Sequence, residues 1–270
     1  MSDSQQSPGI HGDEYRLTEQ QRRDFTSDGF VVLRGLLTEV EVAALEADYQ
    51  RFLSRDIPVP GKDFCDMSGD YDRPVEEFAL INVMLPRRYH PAWAGNTLEV
   101  RAASVARQLH GSDMQLDYDQ LLAKRPQSPD AVFAWHQDMA YWLDTPDTRT
   151  ATLWLALDDS DAGNGGMRFV PGSQREPKLR AHRPLLGDRG KSHTLVTELD
   201  ASVDEVVVPQ LARGDATVHS ERVVHGSGGN TSDRWRRAYV IAFRSAATVA
   251  AERAAGFTHS HEDSLDEDGG

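Results

Sequence analysis

The sequence predicts a mainly β fold with flanking α-helices, an antiparallel sandwich or barrel entered through helical segments. Three features carry this expectation. Helix-period segments with capping residues fill the first 110 positions. Beyond about residue 113 short apolar or alternating runs take over. Those runs are separated by Gly, Pro, Asn and Asp clusters, with no long helical pattern between them. A chain of 270 residues is long enough for one domain with a large core.

Residues 1–14 are polar and aperiodic, and residues 251–270 end in an acidic run, so both read as mobile tails around a single domain at 15–250. Thr18-Glu19-Gln20-Gln21 is a capping box, Gly29 ends the helix behind it, and Phe30-Val31-Val32-Leu33 is a short strand. Thr38 to Glu41 repeats the box. Val42, Leu45, Tyr49 and Phe52 then mark a buried helical face. Asn96 caps a third helix carrying Leu98, Ala102, Val105 and Leu109. Strands are expected at 150–157, 167–170, 205–208, 216–219 and 236–244, with turns at 161–166, 171–173 and 213–215.

Charge and cysteine content remove several classes of function. A net charge of -14 argues against a nucleic-acid partner, which needs clustered Lys/Arg. One cysteine, Cys65, leaves neither a disulfide framework nor a thiolate cluster. The polar N-terminus lacks the order of a secretion signal, and no apolar run approaches the ~18 residues of a membrane span. The expectation is a soluble, reduced, cytoplasmic protein acting on a small molecule, without a membrane or nucleic-acid partner and of undetermined oligomeric state.

His-x-Asp suits a metal centre that binds by one face, since two imidazoles and a carboxylate leave other positions open and residues i and i+2 of a strand share a side. With ten histidines the pattern arises readily by chance. It occurs three times, at His11-Gly12-Asp13, His136-Gln137-Asp138 and His261-Glu262-Asp263. The first and last fall in the expected tails, where no rigid shell can hold a metal. The middle copy sits among Phe133, Trp135, Tyr141 and Trp142, and by itself it could still be a hydrogen-bonded core pair.

His225-Gly226-Ser227-Gly228-Gly229-Asn230 offers a histidine beside glycines that permit close backbone approach. Arg236, eleven residues on, opens an apolar strand and needs a carboxylate if buried. A dicarboxylic cosubstrate chelating the metal would supply one. His219 is the rival third ligand, with a core histidine as its simpler reading. His90, His110, His182 and His193 read as surface or loop residues.

The runs Trp135-His136-Gln137-Asp138, Gly166-Met167-Arg168-Phe169-Val170-Pro171-Gly172-Ser173 and Val224-His225-Gly226-Ser227-Gly228-Gly229-Asn230 with Arg236 together resemble the phytanoyl-CoA dioxygenase family. Resemblance extends over about residues 15–245. It departs at Gln174, where many relatives carry His. The resemblance implies a double-stranded β-helix (a cupin-like jelly roll) and an iron(II)- and 2-oxoglutarate-dependent oxygenase using O2. It implies that His136, Asp138 and His225 ligate iron and that Arg236 takes the distal carboxylate of 2-oxoglutarate, with Ser227 as a second donor. Gln120 and Lys124 are weaker candidates for cosubstrate contact. Tyr141, Trp142 and Asn82 are candidates for the substrate pocket. No catalytic residue beyond the metal centre is expected. Because Asp138 retains the carboxylate that halogenating relatives lack, an oxidation is expected, hydroxylation first, with cyclisation, desaturation or epimerisation as diversions.

Ala/Arg/Asp/Gly-rich usage points to a high-GC bacterium, and the resemblance then implies a tailoring enzyme of natural-product (antibiotic) biosynthesis. The charged loop 180–193 is a candidate lid. A cupin-type metal-dependent isomerase or hydrolase would explain the ligands but not Arg236. A binding barrel without turnover is a third alternative, disfavoured because all three metal ligands are intact.

Overall fold

A computed structural model describes residues 9–263. Its strands are β1 (Gly9–His11), β2 (Glu14–Arg16), β3 (Phe30–Leu33), β4 (Phe64–Asp66), β5 (Leu80–Met84), β6 (Met114–Lys124) and β7 (Phe133–His136). They continue with β8 (Thr150–Ala156), β9 (Met167–Phe169), β10 (Arg183–Pro184), β11 (Leu195–Val196), β12 (Ala216–His219), β13 (His225–Ser227) and β14 (Arg236–Ser245). The helices are α1 (Glu19–Asp28), α2 (Glu39–Leu53), α3 (Pro86–Tyr89), α4 (Thr97–His110) and α5 (Ala246–Ala254).

The helix starts follow their caps. Thr18 and Thr38 each close a full capping box, with Gln21 and Glu41 respectively, and Asn96 Oδ1 accepts from Glu99 N. Gly29 ends α1 with φ 82°, a left-handed conformation that costs a side-chain-bearing residue more.

Seven strands form one antiparallel sheet in the order β3-β12-β8-β14-β6-β5-β4, and β7-β13-β9 form a second. The two-residue alternation of each central strand decides what lies on either face. Leu121, Ala123, Leu153, Leu155, Tyr239 and Ile241 pack with the buried faces of α2 and α4. Leu122, Trp154, Ala238 and Val240 turn the other way, toward Met167 and Phe169 of the small sheet. Both faces of the large sheet are thus covered, and the space between the sheets becomes the interior of a jelly roll.

Both expected tails are partly ordered. Residues 9–14 enter a hairpin of β1 and β2, held because Tyr15 is buried and its N–H donates to Ser104 Oγ at 3.1 Å. After α5 the chain folds back over the domain: Phe257, His259 and His261 are buried, and Asp63 accepts from Ser260 Oγ and His261 N. The acidic composition that suggested a tail begins only beyond these anchors. The remainder of both segments, 1–8 and 264–270, lies outside the described residues.

The strand expectations hold at β3, β8, β9, β12 and β14, whereas 205–208 forms only an isolated bridge, Phe169 to Val207. The eleven-residue β6 was missed. Its Asp117, Asp119 and Lys124 interrupt the apolar pattern, yet all three are buried.

Candidate metal centre and cosubstrate pocket

β7 and β13 run antiparallel with His136 directly opposite His225, so two imidazoles from distant parts of the chain reach one point. Asp138 is not on the strand, as the i, i+2 argument had it. The strand ends at His136, and Asp138 opens a single 3-10 turn pinned where Met139 N donates to Glu221 O at 3.1 Å. Gln137, between the ligands, faces away and fixes its neighbours: its Nε2 donates to Arg222 O at 2.6 Å, and its Oε1 accepts from Arg180 N at 2.8 Å. Sequence reasoning gave Gln137 no role.

Nδ1 of His136 lies 2.7 Å from Ala134 O, and Nδ1 of His225 lies 3.0 Å from Val223 O. A carbonyl can only accept, so each Nδ1 carries the proton and each Nε2 offers its lone pair. Those Nε2 atoms lie 3.2 Å and 3.4 Å from Asp138 Oδ1. Three acceptors converging in a buried site need a cation between them, and a divalent ion satisfies all three at once. His136, Asp138 and His225 therefore fit an iron of the two-histidine, one-carboxylate type. Burial alone would raise the Asp138 carboxyl, but with protons rather than a metal on the facing Nε2 atoms, a charged His225 and hydrogen bonds from His136 and His219 hold it well below the usual range. His219 stands outside the trio, with Nε2 3.4 Å from the other oxygen, Oδ2.

The glycines beside His225 do what their small size allows. A Cβ on Gly226 would meet Phe133 O at 2.9 Å, and one on Gly229 would fall 1.9 Å from Pro129 O.

Arg236 is 1 % exposed, its guanidinium carbon 5.3 Å from the Trp154 ring centre, and neither Nε nor Nη1 has a partner among the described residues. Lys124 stands opposite it across the ladder, fully buried, donating from Nζ to Ser227 Oγ at 2.6 Å and to Gly228 O. Burial pulls the Arg236 guanidinium down to about 10, and burial together with Arg236 and Arg168 holds the Lys124 amine well below its ordinary value. A buried guanidinium with two unfilled donors, facing a buried amine and with no carboxylate paired to either among the described residues, suits one end of a dicarboxylate such as 2-oxoglutarate.

A cavity opens from His136, Asp138 and His225, and Gln120, Tyr141 and Trp142 line it. Asn82 does not reach the cavity. Its Oδ1 accepts from Gln120 Nε2 at 2.6 Å and its Nδ2 faces Cys65 Sγ, so it orients Gln120. His193 and His261 also line the cavity, against the loop and tail readings. The only signal for them was their histidine identity, which local composition outweighed. A second group, Asp117, Glu252 and His259, is near metal-binding geometry. Arg244 and Arg253 already fill it with ion pairs to Asp117 and Glu252.

The family described as phytanoyl-CoA dioxygenase (PhyH) matches residues 25–238. An ectoine dioxygenase of Streptomyces anulatus is 26 % identical, with 91 % of this chain and 83 % of that protein covered. The crystal structure of EvdO2 from Micromonospora carbonacea var. aurantiaca, complexed with 2-oxoglutarate, superposes with a TM-score of 0.68 at 27 % identity, covering 85 % of this chain and 91 % of that one. The epimerase SnoN, in complex with Fe3+, α-ketoglutarate and nogalamycin RO, gives 0.63 at 25 % identity, covering 84 % and 83 %.

Proposed function

Since the chain belongs to the phytanoyl-CoA dioxygenase family and is an enzyme of the iron- and 2-oxoglutarate-dependent class, we propose that it hydroxylates a small-molecule intermediate of bacterial natural-product biosynthesis. The observation that carries the oxygenase reading is the convergence of two imidazole lone pairs and one carboxylate oxygen, together with a buried arginine, packed against the cavity-lining Trp154, whose Nε and Nη1 lack a partner among the described residues.

In this reading His136, Asp138 and His225 hold the iron from one side and leave the cavity side free. Iron(II) with 2-oxoglutarate supplies activation of O2 for attack on an unactivated C–H bond. Arg236 takes the far carboxylate of 2-oxoglutarate, and the Ser227 hydroxyl, already tied to Lys124, donates beside it. Gln120, fixed by Asn82, presents its amide to the cavity wall. Trp154, Leu122 and Val240 shield this end from water, which strengthens each of these contacts. Tyr141 and Trp142 line the substrate side.

Support for a natural-product role comes from SnoN, whose structure holds nogalamycin RO. That neighbour is an epimerase, so the same cofactors also serve a rearrangement, and hydroxylation is here the first choice among outcomes. A hydrolytic cupin has no use for Arg236.

Anaerobic addition of iron(II) and 2-oxoglutarate to the apoprotein tests the reading. A visible charge-transfer band is expected, and it should be lost in His136→Ala and His225→Ala. A folded protein without the band would refute it. Substrate-stimulated succinate release across candidate metabolites then identifies the substrate.

A further inference from the structure

Beside the two ligand imidazoles, His193, His219 and His261 line the cavity, and they differ in what they have left to offer. His219 Nε2 faces Asp138 Oδ2 at 3.4 Å. His261 is held between Cys65 Sγ, 3.6 Å from its Nδ1, and the Lys62 carbonyl. Neither ring nitrogen of His193 has a hydrogen-bond partner among the described residues. Its ring is stacked instead, 5.1 Å from Tyr141 at 11° and 3.7 Å from His261 at 10°. Stacking occupies the faces of the imidazole and leaves its edge, which carries both nitrogens.

The other polar groups of the substrate side are spent or sealed. The Tyr118 and Thr152 hydroxyls both donate to Glu221 Oε1 at 3.2 Å, and Tyr141 Oη accepts from Leu195 N at 2.8 Å. The indole N–H groups of Trp142 and Trp154 lack partners but are enclosed by packing, as is Nδ1 of His219. The nitrogens of the half-buried His193 are not enclosed in this way, so a bound molecule can reach them. No Lys or Arg lines the wall, and its one acid, Asp138, faces the ligand imidazoles. Met67, Met84, Phe133 and Met167 make much of the remainder apolar. Burial and the positive groups around it hold His193 well below its ordinary value, so the ring is neutral at pH 7.

We propose that the edge of His193 hydrogen-bonds a hydroxyl group of an uncharged, otherwise apolar substrate. The assignment rests on the oxygenase reading and names the class of substrate for that site. A neutral imidazole donates from one nitrogen and accepts at the other, and here no protein partner fixes which. A hydroxyl answers either form, by accepting or by donating, whereas a ketone answers only one. A charged group on the same wall would lose its hydration without meeting an opposite charge.

The test uses the full chain loaded anaerobically with iron(II) and saturating 2-oxoglutarate, its charge-transfer band recorded first. Indane, 2-indanol, 2-indanone and indane-2-carboxylate are then titrated calorimetrically into the parent and into His193→Phe. Phenylalanine keeps a flat ring between Tyr141 and His261 and removes only the nitrogens. The affinity of 2-indanol relative to indane should fall about three- to tenfold in the variant, the worth of one neutral hydrogen bond. Indane itself should bind both proteins within about twofold. An unchanged ratio overturns the assignment, as does loss of indane binding together with that of the alcohol, which reports packing alone. Failure of both neutral probes to bind the parent while the band is intact overturns it as well. Tighter binding of the acid than the alcohol overturns the uncharged class, and tighter binding of the ketone overturns the choice of hydroxyl. Absence of the band before any probe is added counts against the oxygenase reading instead.

Discussion

His219 Nε2 lies 3.4 Å from Asp138 Oδ2, while the two ligand imidazoles face Oδ1 of the same carboxylate. The two oxygens are thereby given different work. A neutral His219, held at about pKa 4 by burial, keeps a proton on one nitrogen. With Nδ1 lacking a partner, Nε2–H can donate to Oδ2 and leave Oδ1 for the metal. The rival third ligand is better described as the residue that turns the carboxylate.

His219→Phe should therefore lower metal affinity by about 10–100-fold, as losses of hydrogen bonds behind a ligand commonly do. His219→Gln, which keeps a donor at similar reach, should restore most of it. Titration with cobalt(II), read by its visible spectrum, checks both. Equal affinities for Phe and Gln would remove the orienting role.

Arg236→Ala should weaken 2-oxoglutarate binding by about 2–4 kcal/mol, since a buried charged pair loses one member. Iron binding should change far less. Charge-transfer titrations of 2-oxoglutarate against parent and variant measure the first, and competition with a chromophoric chelator measures the second.

Arg244 is 2 % exposed and pairs with Glu221, Glu252 and Asp117, which tie β14 to α5 and to β6. Among the described residues, Arg244→Met leaves Asp117 and Glu252 with Arg253 and His259, and Glu221 with only the hydroxyls of Tyr118 and Thr152. A loss of about 3–5 kcal/mol is expected in urea unfolding, the usual result of breaking a buried pair from one side.

Asp119 gives a pH signature. Burial raises its carboxyl to about 6, against the opposing pull of Arg87 and Tyr239. The folded state then holds a proton that the unfolded state releases near the ordinary value of 3.8. Stability from this group is full below that value and is lost as pH rises toward 6. Asp119→Asn should flatten that part of the stability curve, by at most about 3 kcal/mol between pH 3.5 and 7. Unfolding midpoints of both proteins across that range measure it. Parallel curves would contradict the assignment.

Much of the site was legible because its residues announce themselves locally. His136 and Asp138 form a His-x-Asp among aromatic residues, His225 stands beside glycines, and Arg236 opens an apolar strand. The structure brings His136, Asp138 and His225 together and leaves Nε and Nη1 of the buried Arg236 without a partner among the described residues. Thr18, Thr38 and Asn96 marked helix starts because a cap acts over three residues. β6 was illegible for the opposite reason. Asp117 and Asp119 look like solvent-facing residues until Arg244 and Arg87 are brought to them.

The sequence by itself determined the helix caps, the strands β3, β8, β9, β12 and β14, the metal-binding residue types and the family, all of which depend on neighbours along the chain. Only the tertiary structure decided which charges are buried and that His193 and His261 line the cavity. A charge or imidazole is stable in an interior only beside partners, and here those partners come from distant segments whose approach no local pattern encodes.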